Sequence, residues 1–148
     1  MKNSIMVKMI LILSLILSGL GLNAQEKTID EWELPRTARD FISKNFSEQK
    51  IVRLTRDDKR NDKEYEAVLN NAVKIEFDRL GYWKEVDGND NAIPTQFIPS
   101  KIMGYITENY PSGKIEKIEK NRNRYKVELL NGLELKFDSK GKFLKLDD

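Results

Sequence analysis

The sequence predicts an α+β protein made of two tandem units, each a helix followed by a four-stranded antiparallel sheet, with both helices packed on one face of the sheet. Three observations carry this expectation. First, YKVELLNGLELKFDSKGKFLKLD (Tyr125 to Asp147) nearly restates YEAVLNNAVKIEFDRLGYWKEVD (Tyr65 to Asp87). Second, LPRTARDFISKNF (Leu34 to Phe46) is answered by IPSKIMGYITENY (Ile98 to Tyr110), so the order of segments repeats as well. Third, in both copies the apolar spacing changes from three and four residues to two, which marks a helix giving way to half-buried strands.

The helices come first. Ala38, Phe41, Ile42 and Phe46 form one stripe at helical spacing, and Ile102, Tyr105, Ile106 and Tyr110 form its counterpart. Pro35 and Pro99 suit a first turn, where a missing backbone donor costs little. Strands are expected over Lys50 to Arg56 and Lys114 to Lys120, before the longer duplicated hairpins. Within the first hairpin Tyr65, Ala67 and Leu69, then Val73, Ile75 and Phe77, alternate with polar neighbours. Asn70-Asn71 and Asn131-Gly132 supply residues that tolerate positive φ between paired strands. A further turn at Asp78 to Gly81, matched by Asp138 to Gly141, leads into a last strand carrying Trp83 or Phe143. The helical segments are offset by 64 positions and the hairpins by 60, which places about four extra residues of the first copy in the polar loop Asp57 to Lys63.

Domain organisation follows. Residues 1–24 read as a secretory signal peptide, because a basic start precedes an apolar run ending at small residues. The run is shorter than the ~20 residues that span a bilayer, so no stable membrane span is expected after cleavage behind Ala24. The divisions are then an N-terminal extension at 25–33, a first repeat at 34–88, a linker at 89–97 and a second repeat at 98–148. Export to the periplasm or the medium is the expected destination. Removing Lys2 and Lys8 turns 26 basic and 24 acidic residues into 24 and 24, which removes the electrostatic case for nucleic acid.

Catalytic chemistry finds little support. Histidine and cysteine are absent, which excludes thiol catalysis and cysteine zinc sites. Ser47 and Lys50 fit the S-x-x-K spacing, but the serine follows its helix and the companion motifs are missing. Asp87 to Asn91 resembles the start of a calcium loop, yet Ala92 and Ile98 stand where glycine and a bidentate glutamate are needed. Acids alternate with lysines along the strands, as expected of a solvated sheet face, and the basic run Lys114 to Lys126 reads as two strands with a polar tip, with a local anionic contact as the alternative. No catalytic residue, cofactor or metal is assigned. The candidates for contact with a partner are exposed aromatic and apolar residues, namely Trp83, Tyr82, Trp32 and Leu130, with Val68 as a further surface position.

The motifs LPxxAxxFIxxxF, IPxxIxxYIxxNY and YxVELxNGxELxFDxxG resemble the PepSY-like family of exported bacterial proteins, also described as beta-lactamase-inhibitor-like. The resemblance runs from about Leu34 to the C-terminus. It implies tandem helix-plus-sheet repeats that present a sheet face to a partner, and it specifies a fold more than an activity, while no nucleophile, base or metal set converges in the sequence. The expected function is therefore a monomeric, non-enzymatic protein-binding or inhibitor-like module, with an unidentified protein or peptide partner in the cell envelope. The alternatives are a small-ligand carrier and a structural envelope-associated domain.

Overall fold

The structure is a computed structural model that describes residues 26–58 and 64–147. The expected signal peptide and most of the expected Asp57 to Lys63 insertion lie outside the described residues. The elements run β1 (Glu26–Thr28), a 3-10 turn (Glu31–Glu33), α1 (Arg36–Asn45), β2 (Ile51–Asp57), β3 (Glu64–Leu69), β4 (Lys74–Phe77), β5 (Trp83–Asp87), α2 (Ser100–Asn109), β6 (Ile115–Lys120), β7 (Arg124–Leu129), β8 (Glu134–Asp138) and β9 (Phe143–Asp147).

The two helices are built alike because their sequences are. Pro35 and Pro99 cap the N-termini with φ of −50° and −53°, one position before the first helical residue. The Pro35 carbonyl accepts from the Ala38 and Arg39 amides, and the Pro99 carbonyl from those of Ile102 and Met103. Both helices stop where Asn45 and Asn109 donate from their side chains to the carbonyls of Phe41 and Tyr105, each at 2.9 Å. Such side-chain bonds compete with continued helix. The buried stripe is Ala38 and Ile42 in α1, Ile102 and Ile106 in α2.

The strands depart from the expected arrangement. They do not form two helix-plus-four-strand units. All nine strands of the described residues pair in sequence order, β1 to β9, into one antiparallel sheet, and with two ten-residue helices beside them the described residues are mostly sheet. The join is β5 against β6, where Glu85, Val86 and Asp87 face Glu119, Ile118 and Lys117. The ninth strand is β1, from the N-terminal extension, which pairs with β2. The physical reason is the cost of an edge: two separate sheets would leave unpaired the backbone donors and acceptors with which β5 and β6 face each other. Val86 shows the benefit, since it is fully buried at the join while its counterpart Leu146, on the free edge strand β9, is 42% exposed.

One line of registered residues crosses the sheet on its apolar face: Leu54, Ala67, Ile75, Val86, Ile118, Val127 and Leu135, all buried. Phe77 and Phe137 stand two residues beyond Ile75 and Leu135, hence on the same face. Phe41 of α1 meets the edge of Phe77 at 5.9 Å and Tyr105 of α2 meets Phe137 at 5.6 Å, so both helices cover this face.

The opposite face is charged and largely self-neutralised. Its central line reads Glu66, Glu76, Glu85 and Glu119, then Lys126, Lys136 and Lys145. Like charges standing opposite one another would repel. The adjacent line supplies the partners: Arg53 binds Glu66, Lys74 reaches Glu76 and Glu85, Lys117 bridges Glu85 and Asp87, Lys126 meets Glu134, and Lys136 and Lys145 share Asp147.

Candidate functional site

Trp83 is where the apolar face, the join between the sequence copies and the solvent come together. It begins β5 directly after the Asp78 to Tyr82 reversal, whose shape is held by Asp78 Oδ1 accepting from the amides of Leu80 and Tyr82 at 2.9 and 3.0 Å. Gly81 has φ +84° beneath α1, and a β-carbon there would stand 2.8 Å from that of Pro35. A register shift at Phe77 and Trp83 turns the indole toward the helix side. There it stacks on Phe41 at 6.2 Å and meets the edge of Phe97 at 5.4 Å, with Tyr125 at 6.5 Å.

The indole remains half-buried and forms part of the wall of an open groove of about 490 Å³. Leu80, Lys120, Arg79 and Arg122 line the same groove, with Asn121, Asp78, Lys84 and Glu64 completing it. Lys120 Nζ lies 4.3 Å from the centre of the Trp83 ring, a cation–π contact. Burial pushes the Lys120 ammonium below the ordinary lysine range, an effect that Asp78 partly opposes. Lys84 and Glu64 pair with each other. Arg79, Lys120 and Arg122 have no ion-pair partner among the described residues.

The first copy handles the equivalent position differently. Arg56 stands opposite Tyr65 as Lys120 stands opposite Tyr125. Its guanidinium is bound by Asp58 at 2.9 and 3.0 Å and approached by Glu33 at 3.6 Å. The hydrogen bond it donates to Asp58 leads the influences that hold its pKa above the usual value. At the offset of 64 residues the second copy has Arg122 in place of Asp58 and Phe97 in place of Glu33. Where the first copy has two acids, the second has a cation and an aromatic ring.

The sequence-predicted contact residues do not gather into one patch. Tyr82 is 55% exposed beside Trp83, whereas Leu130 lies at the opposite end of the sheet, lining a shallow 410 Å³ depression with Tyr110 and Pro111. Trp32 is 73% exposed in the N-terminal 3-10 turn, its ring N–H donating to Asp30 at 3.3 Å, and Val68 is half-buried. Lys120 and Arg122 were read from sequence only as part of the basic run Lys114 to Lys126, and Arg79 and Phe97 not at all, although aligning the charges of the two copies at Arg56 and Asp58 points to the first two. The Asp87 to Asn91 turn spends its side chains internally: Asp87 Oδ1 accepts from the Asn89 amide at 2.8 Å and Asn91 Nδ2 donates to the Asn89 carbonyl at 3.0 Å. No group of three or more acidic side chains is placed to hold a metal among the described residues.

A family model described as "Putative beta-lactamase-inhibitor-like, PepSY-like" matches residues 21–62 and 63–145, two adjoining matches that accord with the duplication. The chain belongs to the PepSY-like family. Similar crystal structures reinforce this for the PepSY-like chain. A Bacteroides thetaiotaomicron protein described as a "putative calcium-regulated periplasmic protein" shares 37% identity with a TM-score of 0.80, over 83% of this chain and 97% of its own. Two Bacteroides vulgatus proteins, each described as a "putative periplasmic protein", share 35% and 37% identity with TM-scores of 0.80 and 0.79; the matches span 86% and 84% of this chain and all of theirs. No curated protein matches. This PepSY-like protein is exported, periplasmic or secreted, and no helix among its described residues is long and apolar enough to cross a membrane.

Proposed function

We propose that this PepSY-like protein is a non-enzymatic binding module of the cell envelope, inhibitor-like in offering a preformed surface, and that its partner docks at the Trp83 groove. The observation that carries the reading is the half-exposed Trp83 ring, held by Phe41 and Phe97 and capped by the Lys120 cation, which has no ion-pair partner among the described residues. Rigid, partly buried tryptophans of this kind are typical anchors of interfaces. The charged sheet face supports the choice by contrast, because its lysines and glutamates already neutralise one another, and interface centres are depleted in both. The carrier alternative is disfavoured by the aromatic filling between α1 and the sheet, where Phe41, Phe46 and Phe97 pack within 6.4 Å of one another.

The test is affinity capture from a native envelope extract, using the exported chain with a C-terminal tag. Wild-type protein is expected to enrich one partner that Trp83→Ala loses while keeping its circular dichroism spectrum. Equal enrichment by both proteins, or none by either, would overturn the groove as a docking site.

A further inference from the structure

We infer that the Trp83 groove recognises an acidic peptide segment, with a carboxylate seated on Lys120 and Arg122 and an adjoining apolar side chain on Trp83 and Leu80. This rests on the binding-module reading and gives it a ligand chemistry. The first argument is the contrast between the two sequence copies. The scaffold places a cation opposite a tyrosine in each, at Arg56 and at Lys120. In the first copy Asp58 and Glu33 satisfy that cation from within the chain. In the second, the positions 64 residues further on carry Arg122 and Phe97, so no acid stands there and a second cation does. Here the place that a carboxylate occupies in the first copy is left to a carboxylate from outside.

The second argument is the make-up of the groove. Lys84 is matched by Glu64, and the one remaining acid, Asp78, whose Oδ1 accepts from the turn amides, faces three cations, Arg79, Lys120 and Arg122, so the groove carries an excess of two positive charges. A carboxylate arriving at Lys120 meets an ammonium already held against an aromatic ring, so little side-chain freedom remains to be lost. Guanidinium groups add a planar fork suited to carboxylate oxygens. Beside the cations stand the Trp83 ring and Leu80, which is 53% exposed, with Tyr82 on the same turn. A free inorganic anion would use none of that apolar surface, whereas a peptide uses both. The volume of about 490 Å³ accommodates one or two side chains and the intervening backbone.

The experiment is selection of a random decapeptide display library on the immobilised exported chain. Enriched peptides are then titrated against a Trp32→Phe variant, whose remaining tryptophan is Trp83. Enriched sequences are expected to pair Asp or Glu with a neighbouring apolar residue and to change Trp83 fluorescence saturably. Amide counterparts of the acidic residue, and the protein variants Lys120→Met and Arg122→Gln, should each bind about tenfold more weakly, the scale of one charge-assisted hydrogen bond. Arg56→Gln should bind as wild type does. The inference is overturned if no peptide is enriched, if amide counterparts bind equally, or if inorganic phosphate or a single-stranded oligothymidylate binds more tightly than the acidic peptides. Capture by a Lys120→Met/Arg122→Gln double variant separates this inference from the broader one. A partner lost with Trp83→Ala but retained by the double variant would leave the binding module standing and remove the acidic ligand.

Discussion

Lys120 holds its ammonium 4.3 Å above the ring of Trp83, across the join between the two sequence copies. Because burial lowers the ammonium pKa, the cation should leave the ring at a pH below the ordinary lysine value of 10.5. Trp83 emission in the Trp32→Phe background should therefore titrate with a midpoint under that value, and Lys120→Met should lack the transition. The unfolded chain keeps its proton longer than the folded one, so the stability cost is fully present below the folded pKa and fades as pH rises through it. Urea unfolding should accordingly show wild type gaining on Lys120→Met toward pH 10.

The three glycines with positive φ among the described residues separate backbone strain from crowding. Gly132 has open space where a β-carbon would go, so Gly132→Ala should cost about 1 kcal/mol from backbone conformation alone. At Gly141 the added carbon would meet Lys101 Cβ at 3.1 Å, and at Gly81 it would meet Pro35 Cβ at 2.8 Å and the Ala38 amide nitrogen at 2.9 Å. Gly81→Ala should be the most damaging, at about 2–4 kcal/mol, because α1 must lift from the turn. Thermal unfolding of the three variants should rank them in that order, and equal losses would refute the crowding argument.

Continuity of the sheet predicts cooperativity. Ile118 in β6 faces Val86 in β5, both fully buried, so neither sequence copy keeps its core intact without the other. Ile118→Ala should cost about 2–5 kcal/mol. It should also shift Trp83 fluorescence and far-UV circular dichroism together in urea. Separated transitions would mean that the copies unfold independently.

Acid should loosen the far edge through Asp147. Hydrogen bonds from Lys136 and Lys145 hold its carboxyl at a pKa of about 2, against 3.8 for the free group. The contribution to stability is present above the unfolded value and is lost as pH falls through the folded one. Asp147→Asn should lower the melting temperature at pH 5, with the gap to wild type closing toward pH 2.

Local periodicity made the elements legible. The helical stripes at Ala38 to Phe46 and Ile102 to Tyr110, the alternation through Tyr65 to Phe77, and the glycine reversals at Gly81 and Gly141 all depend on neighbours within a few residues. The duplication was legible for the same reason, and with it the family. The candidate site was legible only in part: Trp83 and its exposed neighbour Tyr82 could be named from sequence, whereas Trp32 and Leu130, named with them, fall at separate places.

What the sequence by itself determined is therefore the set of elements, their repetition and the absence of thiol and imidazole chemistry. Only the tertiary structure decided that β5 pairs with β6, that β1 extends the sheet, and that Lys120 covers Trp83. The reason is physical. Alternation identifies which residues of a strand face inward, but edge pairing is chosen by the total cost of unsatisfied backbone groups and exposed apolar area. That sum depends on residues far apart in the chain. The groove exists because this choice brings the end of β6 beside the start of β5, where two copies of one pattern meet with unequal charges.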